Sequence, residues 1–505
     1  MKKTLSQKTT EIELVTKSED VILNLLNSCR KVRTKDAVYV YIEEDGEATP
    51  YELFGEELKS YLKTFVKDKC GHFPADITVR DCLLYVSSKA KRLPVEETYY
   101  RIALQNEEMT YDLQNGKYVV VNKSGWKIVD RTDRMFLHSF DGSPQVTPVR
   151  CTVDDGLSRL DKYLNISQDE KLLLKVYLVA CFNGSITFPS ININGTNGSG
   201  KSTLSRIIKK IIDPSRNELE ILPDSQDNLR VRLNVDYYLA FDNISTISKN
   251  QSDFLCSAIT GVSITKRKTY SNNKLNTVQI KRGICLNGIS PFIKRADLSE
   301  RTIFITTKLI QSNTRIGDTD FWESFSKDLP YILGGIFSVY SKALNIYPTV
   351  KLQNLQRLAD FNKFGYAVAE AMGGLGEEFN RVLDANKETQ MEVTCDNALL
   401  VTLVPNFLKE YDGEWTSEVT FFYKSLKNFM EEELCDDEYK YDAAAFPKAP
   451  NYLTRGLHAY ESALASKGVR FEIKKNSKGN KEIHLTLIIR TPIMIGRTPI
   501  LPETA

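Results

Sequence analysis

Residues 195–202, GTNGSGKS, limit the possible fold of this chain more than any other segment. They satisfy the pattern G-x-x-x-x-G-K-S/T at every fixed position. The β-type run FPSININ precedes them and the amphipathic run STLSRIIKKII follows them. Glycines let backbone N–H groups turn towards phosphates, and the start of a helix adds the positive end of its dipole. The sequence therefore predicts a strand, a phosphate-binding loop and a helix in an α/β sheet.

The predicted site takes a nucleoside triphosphate, ATP, together with Mg²⁺. Lys201 is expected to reach the β- and γ-phosphates, and the hydroxyl of Ser202 to hold the metal. Asp242 ends the apolar run DYYLAFDN, where a carboxylate can bind Mg²⁺ through water. A chance loop and a purely structural strand-end aspartate are the alternatives. The predicted nucleotide-binding residues are Gly195, Thr196, Asn197, Gly198, Ser199, Gly200, Lys201, Ser202 and Thr203, and the metal-binding residues are Ser202 and Asp242.

Asn243 occupies the position where most ATPases with this loop carry a glutamate. An amide cannot accept a proton as a carboxylate does, although it can orient a water molecule. Two interpretations stay open at this point. Either another acid, such as Glu300 from a neighbouring subunit, supplies the base, or hydrolysis is slow.

Two β-like stretches, 263–270 and 275–282, flank Ser271-Asn272-Asn273 and predict a hairpin. Six basic residues and no acidic one lie between Val262 and Arg282. Lysines on a protruding loop suit the regularly spaced charges of a nucleic-acid backbone. A solvated basic turn is the alternative. The predicted DNA contacts are Lys266, Arg267, Lys268 and Lys274.

The next apolar run, GICLNGI, carries one polar side chain, Asn287. A buried asparagine needs hydrogen-bond partners, and a γ-phosphate or the attacking water would supply them. The segment IKRADLSERTIFITT then offers Arg295 and Arg301. Either arginine could reach a neighbouring subunit's γ-phosphate, and a surface salt bridge is the alternative for each. These residues predict a catalytic role for Lys201, Asp242, Asn243 and Asn287, and the choice between Arg295 and Arg301 stays open at this point.

Composition excludes several other classes of protein. The formal net charge is +2, so a nucleic-acid surface must come from local clustering. The nine cysteines form no C-x-x-C pair and there are four dispersed histidines, which argues against a zinc site or a disulfide framework. No apolar window suits a signal peptide or a membrane span. We expect a cytoplasmic protein, and interpret the terminal LPETA as incidental.

The C-terminal segment predicts a small DNA-binding unit. APNYLTRGLHAYESALASKG is typical of a helix, and VRFEIKKNSKGNKEIHLTLI of two strands around a turn. With the helix SEVTFFYKSLKNFM before them, these elements predict a winged helix. Residues 467–481 include six basic residues and one acidic residue, Glu472. Phosphate contacts by Lys474, Lys475 and Lys478 would fit this surplus of positive charge. An interaction module with a solvated basic edge is the alternative.

The predicted fold class is α/β, with an ATPase core, an N-terminal α+β region and a winged-helix-like region. Alternating strands over residues 98–139 predict an antiparallel meander in the N-terminal part. The predicted divisions are a disordered N-terminus (1–20), an N-terminal α+β domain (21–150), the P-loop core (151–315), a helical lid or connector (316–400), the winged-helix-like domain (401–490) and a tail (491–505).

The order of glycine loop, Asp-Asn strand, basic hairpin, LNGI strand and R-x-D-L-x-x-R resembles AAA+ ATPases of the superfamily-3 and minichromosome-maintenance helicase type. It is most similar to replication ATPases of bacterial phages and mobile elements, over residues 37–490. The resemblance implies a homo-oligomeric ring with six subunits. In such a ring Asn287 would be the sensor 1 residue, and Arg301 would be the arginine finger that reaches the nucleotide of a neighbouring subunit. The resemblance also implies a sensor 2 arginine after residue 310, for which Arg357 is a weak candidate. No metal triad for primer synthesis is visible.

The sequence therefore favours an ATP-driven DNA helicase or helicase-like replication initiator, whose partners are DNA and further copies of the chain, with no membrane. The alternative is an ATP-switched DNA-binding initiator or defence scaffold that does not unwind DNA. An NTPase that binds no nucleic acid is a third, weaker hypothesis.

Overall fold

The computed structural model describes residues 17–35, 37–44, 47–138, 141–267, 275–288, 292–311, 315–353, 355–396, 399–433, 446–459, 464–465, 467–475 and 479–488. The described chain forms two compact units. The first takes in residues within 1–244, 253–289 and 305–382, and the second those within 245–252, 290–304 and 383–505. The fold is mixed α/β, as expected.

The first unit begins with a small α+β region. Its elements are α1 (Ser18–Ser28), β1 (Arg30–Arg33), β2 (Val38–Glu44), β3 (Glu47–Glu52), α2 (Glu56–Cys70) and α3 (Asp76–Ala90). The three strands form an antiparallel sheet in the order β1-β2-β3. Apolar residues at helical spacing, such as Leu58, Leu62 and Val66 of α2, are fully buried and build a common core with the sheet.

The predicted meander is confirmed. Its strands are β4 (Tyr99–Tyr100), β5 (Ile102–Gln105), β6 (Glu108–Asp112), β7 (Tyr118–Asn122), β8 (Gly125–Val129) and β9 (Phe136–Leu137). Strands β5 to β8 pair antiparallel in chain order, and β4 pairs with β9 in parallel. The helices α4 (Val153–Asp161) and α5 (Gln168–Ala180) follow, and a Ser167–Glu170 capping box starts α5.

A second sheet carries the glycine-rich segment. The elements in this part are β10 (Ser190–Asn194), α6 (Lys201–Ile212), α7 (Gln226–Val235), β11 (Tyr238–Phe241), α8 (Lys249–Thr260), β12 (Val262–Arg267), β13 (Leu275–Ile280), β14 (Gly283–Asn287), α9 (Ala296–Ser299) and β15 (Thr302–Thr306). The sheet order is β11-β14-β10-β15, and β14 runs parallel to both β10 and β11. All residues of β11 and β14 are buried, as in a sheet covered on both faces.

Long helices follow the sheet, as expected. They are α10 (Asp318–Ile346), α11 (Ala359–Ala371) and α12 (Gly376–Asp396). Helix α10 packs closely on α4, where a Cβ added to Gly156 would lie 2.7 Å from the Cα of Gly335. Any larger side chain at Gly156 would therefore push the two backbones apart.

The C-terminal part of the second unit has its own core. Its elements are α13 (Leu399–Glu410), β16 (Glu414–Glu418), α14 (Val419–Glu433), α15 (Pro450–Ala459), β17 (Val469–Lys475) and β18 (Lys481–Leu487). The strands form an antiparallel sheet in the order β16-β18-β17. The predicted terminal hairpin is confirmed, and β16 adds a strand that the sequence pattern did not predict. Within the described residues, no helix has the length and apolar character needed to cross a bilayer.

Candidate functional site

The predicted site residues follow the ends of three parallel strands. Strand β10 ends at Asn194 just before the glycine loop (residues 195–200), β14 ends at Asn287, and β11 is followed by Asp242. Because β14 is parallel to both of its neighbours, these three carboxyl ends lie at one edge of the sheet. That edge is where open α/β sheets bind ligands.

The glycine loop adopts a conformation that most residues avoid. Gly195, Gly198 and Gly200 have φ values of 151°, 71° and 87°. At Gly195 there is also no room for a side chain, because a Cβ would lie 2.2 Å from Oγ1 of Thr307. The hydroxyl of Ser199 bonds the carbonyl of Thr196 at 2.8 Å and also contacts Oγ1 of Thr307 at 2.7 Å. The loop is therefore held in a defined shape.

Lys201 turns back into this loop. Its ammonium donates to the carbonyls of Gly195 and Thr196, both at 2.9 Å. Burial lowers the pKa of Lys201, and the negative charge of Asp242 opposes that change. The lysine is thus positioned by the loop that it was predicted to serve.

The two predicted metal ligands lie in contact. The hydroxyl of Ser202 donates to Oδ1 of Asp242 at 3.1 Å, although 40 positions separate the two residues in the chain. A hydroxyl and a carboxylate are hard oxygen donors of the kind that Mg²⁺ prefers, and Mg²⁺ needs few protein ligands because it keeps waters and phosphate oxygens. The residues present therefore fit the metal.

Asn243 has a backbone reason to be an asparagine. Its φ of 56° lies in the left-handed region, where asparagine is tolerated far better than glutamate. In that conformation its N–H donates to Oδ1 of Asp242 at 2.8 Å and to Oδ1 of Asn287 at 3.2 Å. The side chain is exposed at the sheet edge. A glutamate here would strain the turn that aligns Asp242 and Asn287.

The hydrogen-bond partners of Asn287 differ from those expected from the sequence. Its side chain is buried as expected, but its amide already has protein partners: Nδ2 donates to the Ser205 hydroxyl at 2.7 Å, and Oδ1 accepts from Asn243. Its backbone carbonyl also accepts the N–H of Ile244 at 2.9 Å. Asn287 therefore ties α6 to the turn after β11 and does not depend on a ligand for its hydrogen bonds. Its role as a sensor stays a prediction.

Two neighbours of the loop are not evident from the sequence. Thr307, after β15, contacts Ser199 as described above. Arg315 places its guanidinium so that Nη2 lies 3.0 Å from the position of a Cβ on Gly198. The sequence around Arg315 does not indicate this contact, because the segment after β15 comes close to the glycine loop only in the folded chain. Arg357, the weak sensor 2 candidate, is exposed, and its role stays a prediction.

Arg301 directly precedes β15 and belongs to the second unit. Its guanidinium forms a 2.5 Å ion pair with Asp297 and donates to the Asp297 carbonyl at 2.7 Å. The ion pair that the sequence offered as the alternative role of Arg301 is therefore present within the chain. A contact of Arg301, Arg295 or Glu300 with another subunit stays a prediction.

The predicted basic hairpin exists. Strands β12 and β13 pair antiparallel from Val262↔Ile280 to Arg267↔Leu275, which places Lys266 and Arg267 towards the turn. Lys268 and Lys274 lie outside the described residues.

Two of the six basic residues near the hairpin hold its base. Lys281 donates to the carbonyls of Gly184 and Ser185 at 3.4 and 3.2 Å, and Arg282 donates to that of Leu233 at 2.7 Å. Burial lowers the pKa of both Lys281 and Arg282. Lys281 and Arg282 therefore support the base of the hairpin and are not part of the predicted charged tip.

The C-terminal hairpin is less basic than its composition suggests. Lys474 and Lys475 are exposed, but Lys474 forms a 2.7 Å ion pair with Glu472 and lies opposite Glu482 in the sheet. Lys478 lies outside the described residues. The acidic neighbours weaken the predicted phosphate contact at Lys474.

A buried charged cluster fastens the far end of α6. Asp213, directly after α6, accepts from Nε of Arg101 at 2.8 Å and from Lys209 at 3.2 Å. It also accepts the N–H groups of Tyr237 and Tyr238, both at 3.1 Å. Burial alone would raise the pKa of Asp213, but the charges of Lys209 and Arg101 hold it at about 2. The helix that begins at Lys201 is thereby tied to β11.

Part of the chain matches a known protein family in sequence. The family of actinomycete integrative conjugative element replication proteins matches residues 155–385, which include the glycine loop, Asp242 and Asn287. This part of the chain is therefore similar to replication proteins. No curated protein matches the chain.

Solved structures give distant similarities. The apo NrS-1 C-terminal region (305–718) is 14% identical with a TM-score of 0.41, covering 94% of this chain and 100% of that one. An A-form apo structure of the same region is 14% identical with a TM-score of 0.40, and the match covers 93% of this chain and 98% of that one. An inhibitor-bound JCV helicase is 11% identical with a TM-score of 0.26, covering 48% of this chain and 62% of that one. At these TM-scores, function must be argued from the site itself.

Proposed function

We propose that this chain is a replication ATPase that binds ATP and Mg²⁺ at the glycine loop and acts on DNA as a helicase or helicase-like initiator. The observation that carries the proposal is the contact between Ser202 and Asp242 beside a loop that encloses the Lys201 ammonium. Two oxygen donors and one cation at the carboxyl edge of a parallel sheet suit a metal-bound triphosphate. The sequence similarity to replication proteins over 155–385 supports the biological context.

Each residue then has a defined task. The backbone N–H groups of the loop and the start of α6 bind phosphate oxygens, and Lys201 exchanges its two carbonyl partners for phosphate. Ser202 and Asp242 hold Mg²⁺, which when bound neutralises charge on the phosphates. Asn243 orients the attacking water with its exposed amide. Asn287 keeps the turn at residues 242–244 aligned with α6 through Ser205.

The proposal extends to assembly and DNA contact. A homo-oligomeric ring, with six subunits as the expected number, would bring Arg301 of one subunit to the nucleotide of the next, after Arg301 leaves Asp297. Lys266, Arg267, Lys268 and Lys274 would then contact the phosphates of DNA. The order helix, strand, two helices and two strands from α13 to β18 is that of a winged helix, which supports a second DNA-binding element there.

Asn243 favours one alternative function. With an amide in place of the usual carboxylate, ATP binding could switch assembly on DNA while hydrolysis stays slow and no strand is displaced. Unwinding of forked DNA with ATP turnover stimulated by DNA supports the helicase. ATP-dependent DNA binding without displacement supports the switch.

The test compares Lys201→Ala with Lys210→Ala in the full chain. Lys210 lies on the same helix but pairs with Glu218, so its loss should leave nucleotide binding unchanged. Lys201→Ala should lose binding of a fluorescent ATP analogue by at least about tenfold, because a charge-assisted contact to phosphate disappears. Ser202→Ala should raise the Mg²⁺ concentration needed for binding. Full DNA-stimulated ATPase activity in Lys201→Ala would refute the site.

A further inference from the structure

The outward face of α3 carries apolar side chains where a surface helix is normally polar. Val79, Leu83 and Val86 point to the core and are buried. The opposite face exposes Ile77 (54%) and Leu84 (52%). Residues seven apart lie on the same side of a helix, so the two form one stripe along α3. Adjacent exposed apolar side chains are a common feature of binding surfaces.

Two exposed aromatic rings accompany this stripe. Tyr85, which follows Leu84 in α3, is 46% exposed, and Phe73, in the connection between α2 and α3, is 65% exposed. Each ring has a lysine above it: Lys89 lies 4.3 Å from the centre of Tyr85, and Lys67 lies 5.5 Å from the centre of Phe73. Aromatic rings and cations therefore occur in pairs on this surface.

The charge around the rings favours an anionic partner. Six basic and three acidic residues lie between positions 67 and 92. Asp76 pairs with Lys63, outside this segment, at 2.5 Å, and Asp81 pairs with Arg80, one of the six basic residues, at 3.5 Å. With both pairs set aside, five basic residues and Asp68 remain in the count. The surface that remains is cationic as well as aromatic, which suits a partner with flat apolar groups joined by negative charges.

We propose that Phe73, Tyr85 and the lysines beside them form a binding surface for single-stranded DNA. Unpaired bases stack on exposed rings, and cations next to those rings contact the phosphates. The site would lie in the α+β region of the first unit and consists of residues other than those of the glycine loop and the two predicted DNA-binding hairpins. It does not require ATP.

The experiment measures the affinity of fluorescein-labelled oligothymidine by anisotropy, without ATP. The full chain is used with Lys266, Arg267, Lys268 and Lys274 changed to alanine, so that the β12–β13 hairpin does not mask the result. Phe73→Ala and Tyr85→Ala should each weaken binding by at least about fivefold, the usual loss for one base–ring stack. Tyr85→Phe keeps the ring and should bind as before.

Leucine variants separate stacking from apolar docking. Phe73→Leu with Tyr85→Leu keeps an apolar surface but removes both rings, so the DNA affinity should fall as in the alanine variants. Unlabelled duplex should compete poorly, because its bases are already stacked. An oligonucleotide carrying 5-iodouracil should photo-cross-link to Phe73 or Tyr85.

Three results would overturn the proposal: unchanged affinity in the alanine variants, retained affinity in the leucine variants, or equal competition by duplex. A change in sedimentation with unchanged DNA affinity would assign the surface to a second copy of the chain instead. Lys201→Ala should leave the binding of oligothymidine intact. Failure of the single-stranded-DNA proposal is therefore distinguishable from failure of the proposed nucleotide site.

Discussion

Changing Asp213 to asparagine should strongly destabilise the first unit. The substitution keeps the size of the side chain but removes the charge that Arg101 and Lys209 share. Both cations are almost fully buried, with side-chain exposures of 1% and 3%. Breaking a buried ion pair in this way costs about 3–5 kcal/mol, because the remaining charges lose their compensation.

The effect should depend on pH in a defined direction. The pKa of Asp213 is about 2 in the fold, against an ordinary value of 3.8. That difference is equivalent to roughly 2 kcal/mol. Because the pKa is depressed, this stability is complete above about pH 5 and is lost as pH falls through 4 towards 2. The gap between wild type and Asp213→Asn should narrow over the same range.

The assay is urea unfolding followed by tryptophan fluorescence. The chain has three tryptophans, of which Trp126 and Trp322 lie in the first unit and Trp415 in the second. A Trp415→Phe background restricts the signal to the first unit. Arg381→Gln is the control, because that side chain is 54% exposed and its ion pairs should contribute less than about 1 kcal/mol. A loss below 1 kcal/mol for Asp213→Asn, or a gap that does not change between pH 5 and pH 2, would refute the reasoning.

Two further predictions concern the sheet edge and the subunit boundary. Asn243→Gly should keep wild-type stability because glycine accepts a φ of 56°, whereas Asn243→Glu should lose about 1 kcal/mol in thermal unfolding; equal stability of the two would contradict a backbone role. Loss of ATP turnover in Asn243→Gly with unchanged ATP affinity would identify the amide as the water-orienting group. Arg301→Ala should bind ATP normally but not hydrolyse it, and mixing it with Lys201→Ala protein should restore part of the activity. Absence of any recovery would argue against a finger acting across subunits.

Local patterns predicted much of the fold. Alternating residues identified the meander, and two polar β-like stretches identified the β12–β13 hairpin, because both depend on pairing between neighbours in sequence. Charge counting was less reliable. It could not show that Lys281 and Arg282 hold the base of the hairpin, nor that Lys474 pairs with Glu472.

Contacts between distant parts of the chain account for what the sequence could not show. The spacing of Ser202 and Asp242 matched a known motif and so could be predicted. Nothing local indicates that Arg101 meets Asp213, 112 positions later, or that Arg315 returns to Gly198. The sequence shows only that Asn243 replaces the usual glutamate. The φ of Asn243, which the sequence does not reveal, shows that the backbone conformation favours an asparagine there.

The division into two units restricts how the protein can be dissected. The chain passes between the units at five points, after residues 244, 252, 289, 304 and 382. A fragment ending at residue 382 would retain the short segments 245–252 and 290–304 without the remainder of the unit to which they belong. Expression trials that cut the gene once should therefore yield poorly soluble pieces. Replacing residues 290–304 with a linker would also remove residues 302–304 of β15, so the first unit cannot be isolated in that way without losing part of its sheet.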